Sequence, residues 1–386
     1  VRISKDQWCE AHVPCPTALL LSPGDIERQT GGSFYNRKLA ESLIERGFRL
    51  DVVAVPDLPY FAGLVAGLAI APMLLLRLAR RKYDVVIEDG WAHPATLLFN
   101  AACWMSGAVR LVIIVHQVRW LAMSHAGGFV ARIFERIALR CAQLIVVVST
   151  SISGEVEELI GSSERIALAL PGSAPLSDPT GQQGKTKGAP LRLLFVGNCT
   201  RLKGLDYLIQ ALGLLRDLSL TLDLVGDVGF EPRYYKKLVR QARALGVSER
   251  VAFHGATPHE ELGRFYSRAD IFTFPSVYEG FGIVLAEAMH AGLPIVATRT
   301  GAADEILRQG ENALIVPAAN LAALATAIRR LAVDREMRER FGRRSLELAD
   351  SLPTWKQTCE IVCDRIEIMI RTSPDKTQKT KKIPRL

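Results

Sequence analysis

The chain has 386 residues, 49% apolar and 23% charged, with 48 Lys+Arg against 40 Asp+Glu and a formal net charge of +8. That balance excludes a disordered, collagen-like or mucin-like chain. Single cores stop growing near roughly 250–300 residues, so two domains are expected. The charge is unevenly placed. Arg371, Lys376, Lys379, Lys381, Lys382 and Arg385 against Asp375 put +5 of the +8 in residues 371–386, which leaves a nearly neutral body. No RNA- or DNA-binding module accompanies the charge, so a nucleic-acid partner is not expected.

Residues 1–16 include Asp6, Glu10 and His12 and lack an apolar h-region, so no secretory signal is read there. Short apolar runs then alternate with helix-length stretches. Thr17–Ser22, Leu50–Val55, Asp84–Glu88, Leu111–His116 and Leu144–Ser149 read as fully buried parallel strands. Ser33–Arg46 reads as a helix with Leu39, Leu43 and Ile44 on one face, stopped by Gly47. Leu58 to Leu76 holds no charge over 19 residues and is followed by Arg77, Arg80, Arg81 and Lys82. A spanning helix needs about 20 apolar residues. Pro59, Pro72, Gly63 and Gly67 favour a buried helix and loop instead, with a membrane-facing surface segment as the next reading.

Residues 171–189 are rich in Pro, Gly and Ser and read as a linker. The alternation restarts with Leu191–Val196, Thr221–Val225, Val251–His254, Ile271–Pro275, Pro294–Thr298 and Ala313–Val316. A helix over Trp355–Arg371 precedes the basic tail. The expected organisation is an α/β chain of two doubly wound, Rossmann-like domains facing each other across a cleft. The boundaries are 1–170, a linker at 171–189, 190–350, a C-terminal helix at 351–371 and a basic tail at 372–386. The seven cysteines (Cys9, Cys15, Cys103, Cys141, Cys199, Cys359 and Cys363) form no CxxC pair and read as reduced thiols, with no metal site.

Ligands of open α/β sheets sit beyond the carboxyl ends of strands, so the loops there carry the chemistry. After Ile271–Pro275 come Glu279, Gly280, Phe281, Gly282 and Ile283, then a helix from about Phe281 to Ala291 containing Glu287. Unpaired N–H groups at such a helix start attract an anion, and glycines allow close approach. Two carboxylates beside an anion site make sense if they accept hydrogen bonds from sugar or ribose hydroxyls. The local GxG lacks the third small residue and the distant acid of a dinucleotide fingerprint, which disfavours NAD. After Leu191–Val196, Arg201 and Lys203 can reach phosphate oxygens, without a P-loop pattern. In the first half, Gly31-Gly32 opens a helix, and His116 ends a strand as a candidate base, orienting group or structural histidine.

Taken together, these loops resemble the retaining glycosyltransferases of the GT-B fold, family GT4. The resemblance is strongest over Leu191–Asp334, where Glu279 and Glu287 match the ends of the family's E-x7-E motif. It is looser over Thr30–Leu43 and Val115-His116. The resemblance implies that Glu287 holds ribose hydroxyls and that Glu279 contacts the transferred sugar. It also implies that the Phe281–Ile283 backbone and Lys203 meet the donor diphosphate. Gly32 would close on that diphosphate from the other domain, and His116 would lie near the reacting sugar. The last helix would cross back onto the first domain. Asn198 stands where members often carry Arg; either Arg201, three residues on, supplies that charge or Lys203 acts alone.

The expected activity is retaining, metal-independent transfer of a hexose-type sugar. A nucleotide-diphosphate sugar is the donor substrate, with no other cofactor. The acceptor is a sugar or lipid-linked hydroxyl in bacterial glycolipid or polysaccharide assembly. Two rivals remain: a GT-B nucleotide-sugar 2-epimerase and a non-catalytic nucleotide-sugar-binding subunit. The expected location is cytoplasmic, with residues 58–76 and the lysine-rich tail inviting an anionic membrane surface.

Overall fold

The computed structural model describes residues 15–123, 125–176 and 188–372. The basic tail beyond Thr372 and most of the 171–189 linker lie outside the described residues. The first domain runs β1 (Thr17–Pro23), α1 (Gly31–Glu45), β2 (Arg49–Val55), α2 (Tyr60–Arg80), β3 (Val85–Asp89), α3 (His93–Ser106), β4 (Arg110–Val115), α4 (His125–Cys141), β5 (Leu144–Val147), α5 (Thr150–Ile160) and β6 (Ile166–Leu168). The second runs β7 (Leu191–Val196), α6 (Leu205–Leu214), β8 (Leu220–Val225), α7 (Pro232–Ala244), β9 (Val251–Gly255), α8 (Gly263–Arg268), β10 (Ile271–Phe274), α9 (Ile283–His290), β11 (Ile295–Thr298), α10 (Ala303–Ile306), β12 (Ala313–Val316), α11 (Leu321–Val333) and α12 (Arg335–Ala349). A last helix, α13 (Trp355–Arg371), follows.

Each domain holds a six-stranded, all-parallel sheet, ordered β2-β1-β3-β4-β5-β6 in the first and β12-β11-β10-β7-β8-β9 in the second. The apolar strands are covered by helices on both faces, as parallel sheets require. Strand order reverses beside β1 and β3 in one sheet and beside β7 and β10 in the other. These are the crevices where an open α/β sheet takes its ligand. The loops leaving β1, β3, β7 and β10 therefore carry the site.

The last helix starts in a capping box made by Thr354 and Gln357. It lies on α1 of the first domain. Val362, Cys363 and Ile366 are buried in the core that also holds Leu39 and Leu43. Arg46 pairs with Asp364 and with Glu367, the latter at 3.1 Å. Thr358 donates to the Leu170 carbonyl at 2.6 Å.

The 58–76 segment corrects one expectation. It is not a buried helix and loop but one continuous helix running on to Arg80. By length and composition α2 could cross a membrane. Yet it is the crossover between two strands of one sheet and packs along α3. Gly63 and Gly67 allow that approach, since a Cβ at either would sit 3.1 Å from Pro94 or from the Ala95 carbonyl. Pro72 is tolerated because it and Leu68, whose carbonyl it leaves without a helix donor, both face outward.

Glu88, at the end of β3, is fully buried. Its Oε1 accepts from Thr96 at 2.8 Å, and its Oε2 has no partner. Burial raises its pKa from 4.5 to about 7, against the lowering hydrogen bonds. A carboxyl with a raised folded pKa stabilises fully below its unfolded value and loses that contribution as pH rises through the folded one. Over this window the loss is about 3 kcal/mol. Glu88→Gln should therefore match the native chain near about pH 5 and melt several degrees higher near about pH 8. Parallel melting curves at both pH values would show that Glu88 stays ionised in the fold.

Candidate active site

The two crevices face each other and enclose a cleft of about 610 Å³, lined from both domains. On the second domain, β10 ends at Phe274 and the chain reaches α9 through Glu279, Gly280, Phe281 and Gly282. Gly282 adopts φ +90°, and no side chain caps the helix it opens. Leu285 N–H turns back to the Gly282 carbonyl at 2.9 Å, while Ile283 and Val284, ahead of it, line the cleft at a helix start with no side-chain cap, the arrangement that receives an anion. The helix begins at Ile283 rather than at Phe281, so Phe281 and Gly282 belong to the approach loop.

Lys203 ends a 3-10 turn after β7 and forms an ion pair with Glu279 Oε2. Both side chains are mostly buried, and both line the cleft. Glu279 Oε1 also accepts from Gln117 of the first domain at 3.3 Å. Glu287 lies on the first turns of α9. Its Oε2 accepts from Tyr266 at 2.7 Å, and its Oε1 lies 3.1 Å from His259 Nε2. The buried hydroxyl of Tyr266 beside this carboxylate is pushed far above its ordinary pKa, by burial first. His259 also stacks on Phe34 of the first domain, with ring centroids 4.8 Å apart.

On the first domain, Thr30 caps α1 by accepting from the Ser33 N–H at 3.1 Å. Gly32 lies against the His116 ring, where a Cβ would sit 3.1 Å from Cδ2. Gly31 stands next to Ile283 across the cleft. The imidazole of His116 lies 3.2 Å from Asn36 Oδ1 and 3.6 Å from Asp89 Oδ2 through Nε2. Asn36 donates its amide N–H to Asp89 at 2.7 Å. Its oxygen is therefore the acceptor, which places the hydrogen of His116 on Nε2 and leaves Nδ1 as an acceptor. Burial lowers the His116 pKa against the opposing charge of Asp89, so the ring is neutral near pH 7.

The structure thus gathers Gly32, His116, Lys203, Glu279, Phe281, Gly282, Ile283 and Glu287 around one cleft. Arg201 is the correction. One 3-10 turn sends residues two apart to different sides, and the Arg201 side chain is 74% exposed and directed at Glu231, 3.4 Å away. Asn198 supplies no charge either; it bridges the domains by donating to the Gln29 carbonyl at 3.2 Å. The sequence reading missed Asn36, Asp89, Gln117, Tyr266 and His259. Only Asp89 carried a local signal, as an acid at the carboxyl end of a strand. Among the described residues, no group of three His, Cys, Asp or Glu side chains gathers to hold a metal ion.

The second domain holds the first at several points around the cleft. Ser149 donates to the Gly280 carbonyl at 2.8 Å. The Tyr278 hydroxyl accepts from the Val118 N–H at 3.0 Å and donates to Glu155 at 3.0 Å. Glu305 accepts from the N–H groups of Thr150 and Ser151 at 3.0 and 3.1 Å, placing a carboxylate at the positive end of α5.

The chain matches the family described as Glycosyl transferases group 1 over residues 180–347, and Glycosyl transferase 4-like domain over residues 30–172. The D-inositol 3-phosphate glycosyltransferase of Corynebacterium jeikeium is 30% identical over 289 residues, covering 66% of this chain and 68% of that one. Sucrose-phosphate synthase from Thermosynechococcus elongatus superposes with a TM-score of 0.80 at 21% identity, over 93% of this chain and all of the other (100%). HepE from Anabaena, in complex with UDP-glucose, superposes with a TM-score of 0.74 at 19% identity, over 91% of this chain and 99% of the other. At these identities the structural likeness concerns the fold alone.

Proposed function

The chain belongs to the group 1 glycosyltransferases, family GT4, and from that premise we propose that it moves a hexose-type sugar from a nucleotide-diphosphate sugar to a hydroxyl acceptor with retention of configuration. The observation that carries this reading is the meeting of Lys203, the uncapped start of α9 and two glutamates from one domain with His116 and Gly32 from the other. One flank suits a diphosphate, and the carboxylates beside it suit hydroxyls.

In this proposal Glu287, held by Tyr266 and His259, offers its remaining lone pairs to the ribose. The N–H groups of α9 and the Lys203 ammonium take the diphosphate, and no metal ion is required for its charge. Glu279 turns from Lys203 toward the sugar hydroxyls as the diphosphate arrives. The neutral His116 ring presents Nδ1 to the sugar from the opposite wall. The bond between the anomeric carbon and the phosphate oxygen breaks, and the acceptor oxygen bonds to the same face. The acceptor proton passes to the departing phosphate oxygen. Closure of the cleft keeps water from the donor. The acceptor belongs to glycolipid or polysaccharide assembly, and UDP-glucose is the first donor to try.

Glu287→Ala should raise the donor KM by about 30-fold, roughly 2 kcal/mol for hydrogen bonds to a charged group. Glu287→Gln retains a partner for Tyr266 and should lose less. Near-native donor KM in Glu287→Ala would remove Glu287 from the donor site. A donor incubated alone that yields only its epimer would favour epimerisation. Donor binding with no transfer to any acceptor would favour a non-catalytic subunit.

A further inference from the structure

A helix covering a sheet buries one stripe and turns polar side chains to water. The α2–α3–α4 layer of the first domain departs from that rule. On α2, Tyr60, Gly63, Gly67, Ile70, Ala71 and Leu74 are buried. Its other side exposes Phe61, Val65 (68%), Leu68 (67%), Met73, Leu75 and Leu76. Helix α3 adds exposed Leu98, Trp104 and Met105, and α4 adds Phe129, Val130, Ile133 and Ile137. The three helices touch in sequence, α2 on α3 and α3 on α4. Gly127 of α4 also lies against the Phe61 ring.

The exposed charges on these three helices have one sign. Arg77 and Arg80 lie on α2, Arg132, Arg136 and Arg140 on α4, and α3 carries neither acid nor base of the Lys/Arg/Asp/Glu set. The one acid, Glu135, is buried, with its oxygens accepting from the N–H groups of Arg119 and Trp120 at 3.0 and 3.1 Å. Arg77 and Arg132 are neutralised by Asp51 and Glu158. Arg80, Lys82 and Arg136 have no acidic partner among the described residues.

We propose that this layer docks on an anionic lipid bilayer and that the acceptor is an amphiphile held in that bilayer; the second half rests on the glycosyltransferase reading. Apolar side chains with Trp and Phe among them, flanked by arginines and with no exposed acid on the three helices themselves, match a lipid interface in both polarity and charge. A second copy of the chain packed face to face would set these arginines against each other. The layer also reaches the cleft: Leu58 and Pro59 line it, and exposed Phe61 follows at once. An acceptor whose chain stays in the bilayer would meet the cleft at that rim.

The test is co-sedimentation of the full chain with phosphatidylglycerol and with phosphatidylcholine vesicles. The chain should partition onto phosphatidylglycerol about ten-fold more strongly, and Val65→Glu/Leu68→Glu should lose about ten-fold or more of that binding. That variant should keep its circular dichroism and its transfer rate to a soluble acceptor. Replacing Lys379, Lys381 and Lys382 with Gln should leave most of the binding. Brominated lipid should quench the tryptophan fluorescence, and Trp104→Phe should remove most of that quenching. A native chain that stays in the supernatant overturns the docking, as does a face variant that sediments like the native chain. Equal rates in native and face variant with a vesicle-held acceptor overturn the amphiphile. Sedimentation without nucleotide release for any acceptor would instead sink the glycosyltransferase reading and leave the docking standing.

Discussion

Lys203→Ala should lower kcat for sugar transfer by about 100- to 1,000-fold, the range for losing one preorganised charge partner of a leaving group. The turn that presents Lys203 does not depend on it. Gly204 follows at φ +63°, packed against the Pro275 carbonyl where a Cβ would overlap, so the loop stays seated on β10. The loss has two parts. One is the missing cation beside the departing diphosphate. The other is Glu279, which sits mostly buried and loses its ionic partner just where a diphosphate must enter. The double variant Lys203→Ala/Glu279→Gln should therefore bind nucleotide diphosphate more tightly than Lys203→Ala alone, while transfer stays slow in both. Calorimetric titration with the nucleotide and single-turnover kinetics separate the two parts. An unchanged rate in Lys203→Ala would move the diphosphate clamp elsewhere. Equal nucleotide affinity in the single and double variants would show that Glu279 does not oppose the ligand.

Gly280→Ala should cost about 100-fold in kcat without unfolding either domain, the scale expected when reacting groups are displaced by about 1 Å. A Cβ at position 280 would overlap the carbonyl oxygen of His116, which belongs to the other domain. The loop is buried, so the added methyl finds room by moving the domains apart, which also breaks the Ser149 bond to the Gly280 carbonyl. Nucleotide binding by the second domain should survive, since Lys203, Glu287 and α9 all lie on it. Small-angle scattering should report a larger radius of gyration than for the native chain. Native kcat with an unchanged scattering profile would show that the two loops do not need this close approach.

The parts legible in the sequence were those with a local cause. Parallel strands such as Leu144–Val147 and Ala313–Val316 are buried on both faces, so their residues form continuous apolar runs. Glu279, Gly282 and Glu287 lie together in one strand-to-helix loop and its helix, where the glycines announce the turn. Strand β6 was not legible, because three residues at the sheet edge, Ile166–Leu168, carry no pattern of their own. Arg201 was misread because a charge in a loop says nothing about which side of the turn it leaves from. Asn36 and Gln117 were invisible for another reason. Each is an ordinary polar residue until the fold sets it against Asp89 and His116, or against Glu279 across the cleft. The outward face of α2 was obscured by its prolines and glycines, which favour a loop in an isolated segment and a close helix contact in this fold.

The return of α13 onto α1 has a consequence for the order in which the protein is made. Val362, Cys363 and Ile366 complete a core whose other members, Leu39 and Leu43 among them, leave the ribosome before any of the second domain does. The whole second domain is translated in between. At about 5–20 residues per second, that interval lasts on the order of ten seconds or more. During it the outer side of α1 has no cover, and Arg46 has neither of its acidic partners. Of these two domains, the one begun earlier is the one completed later.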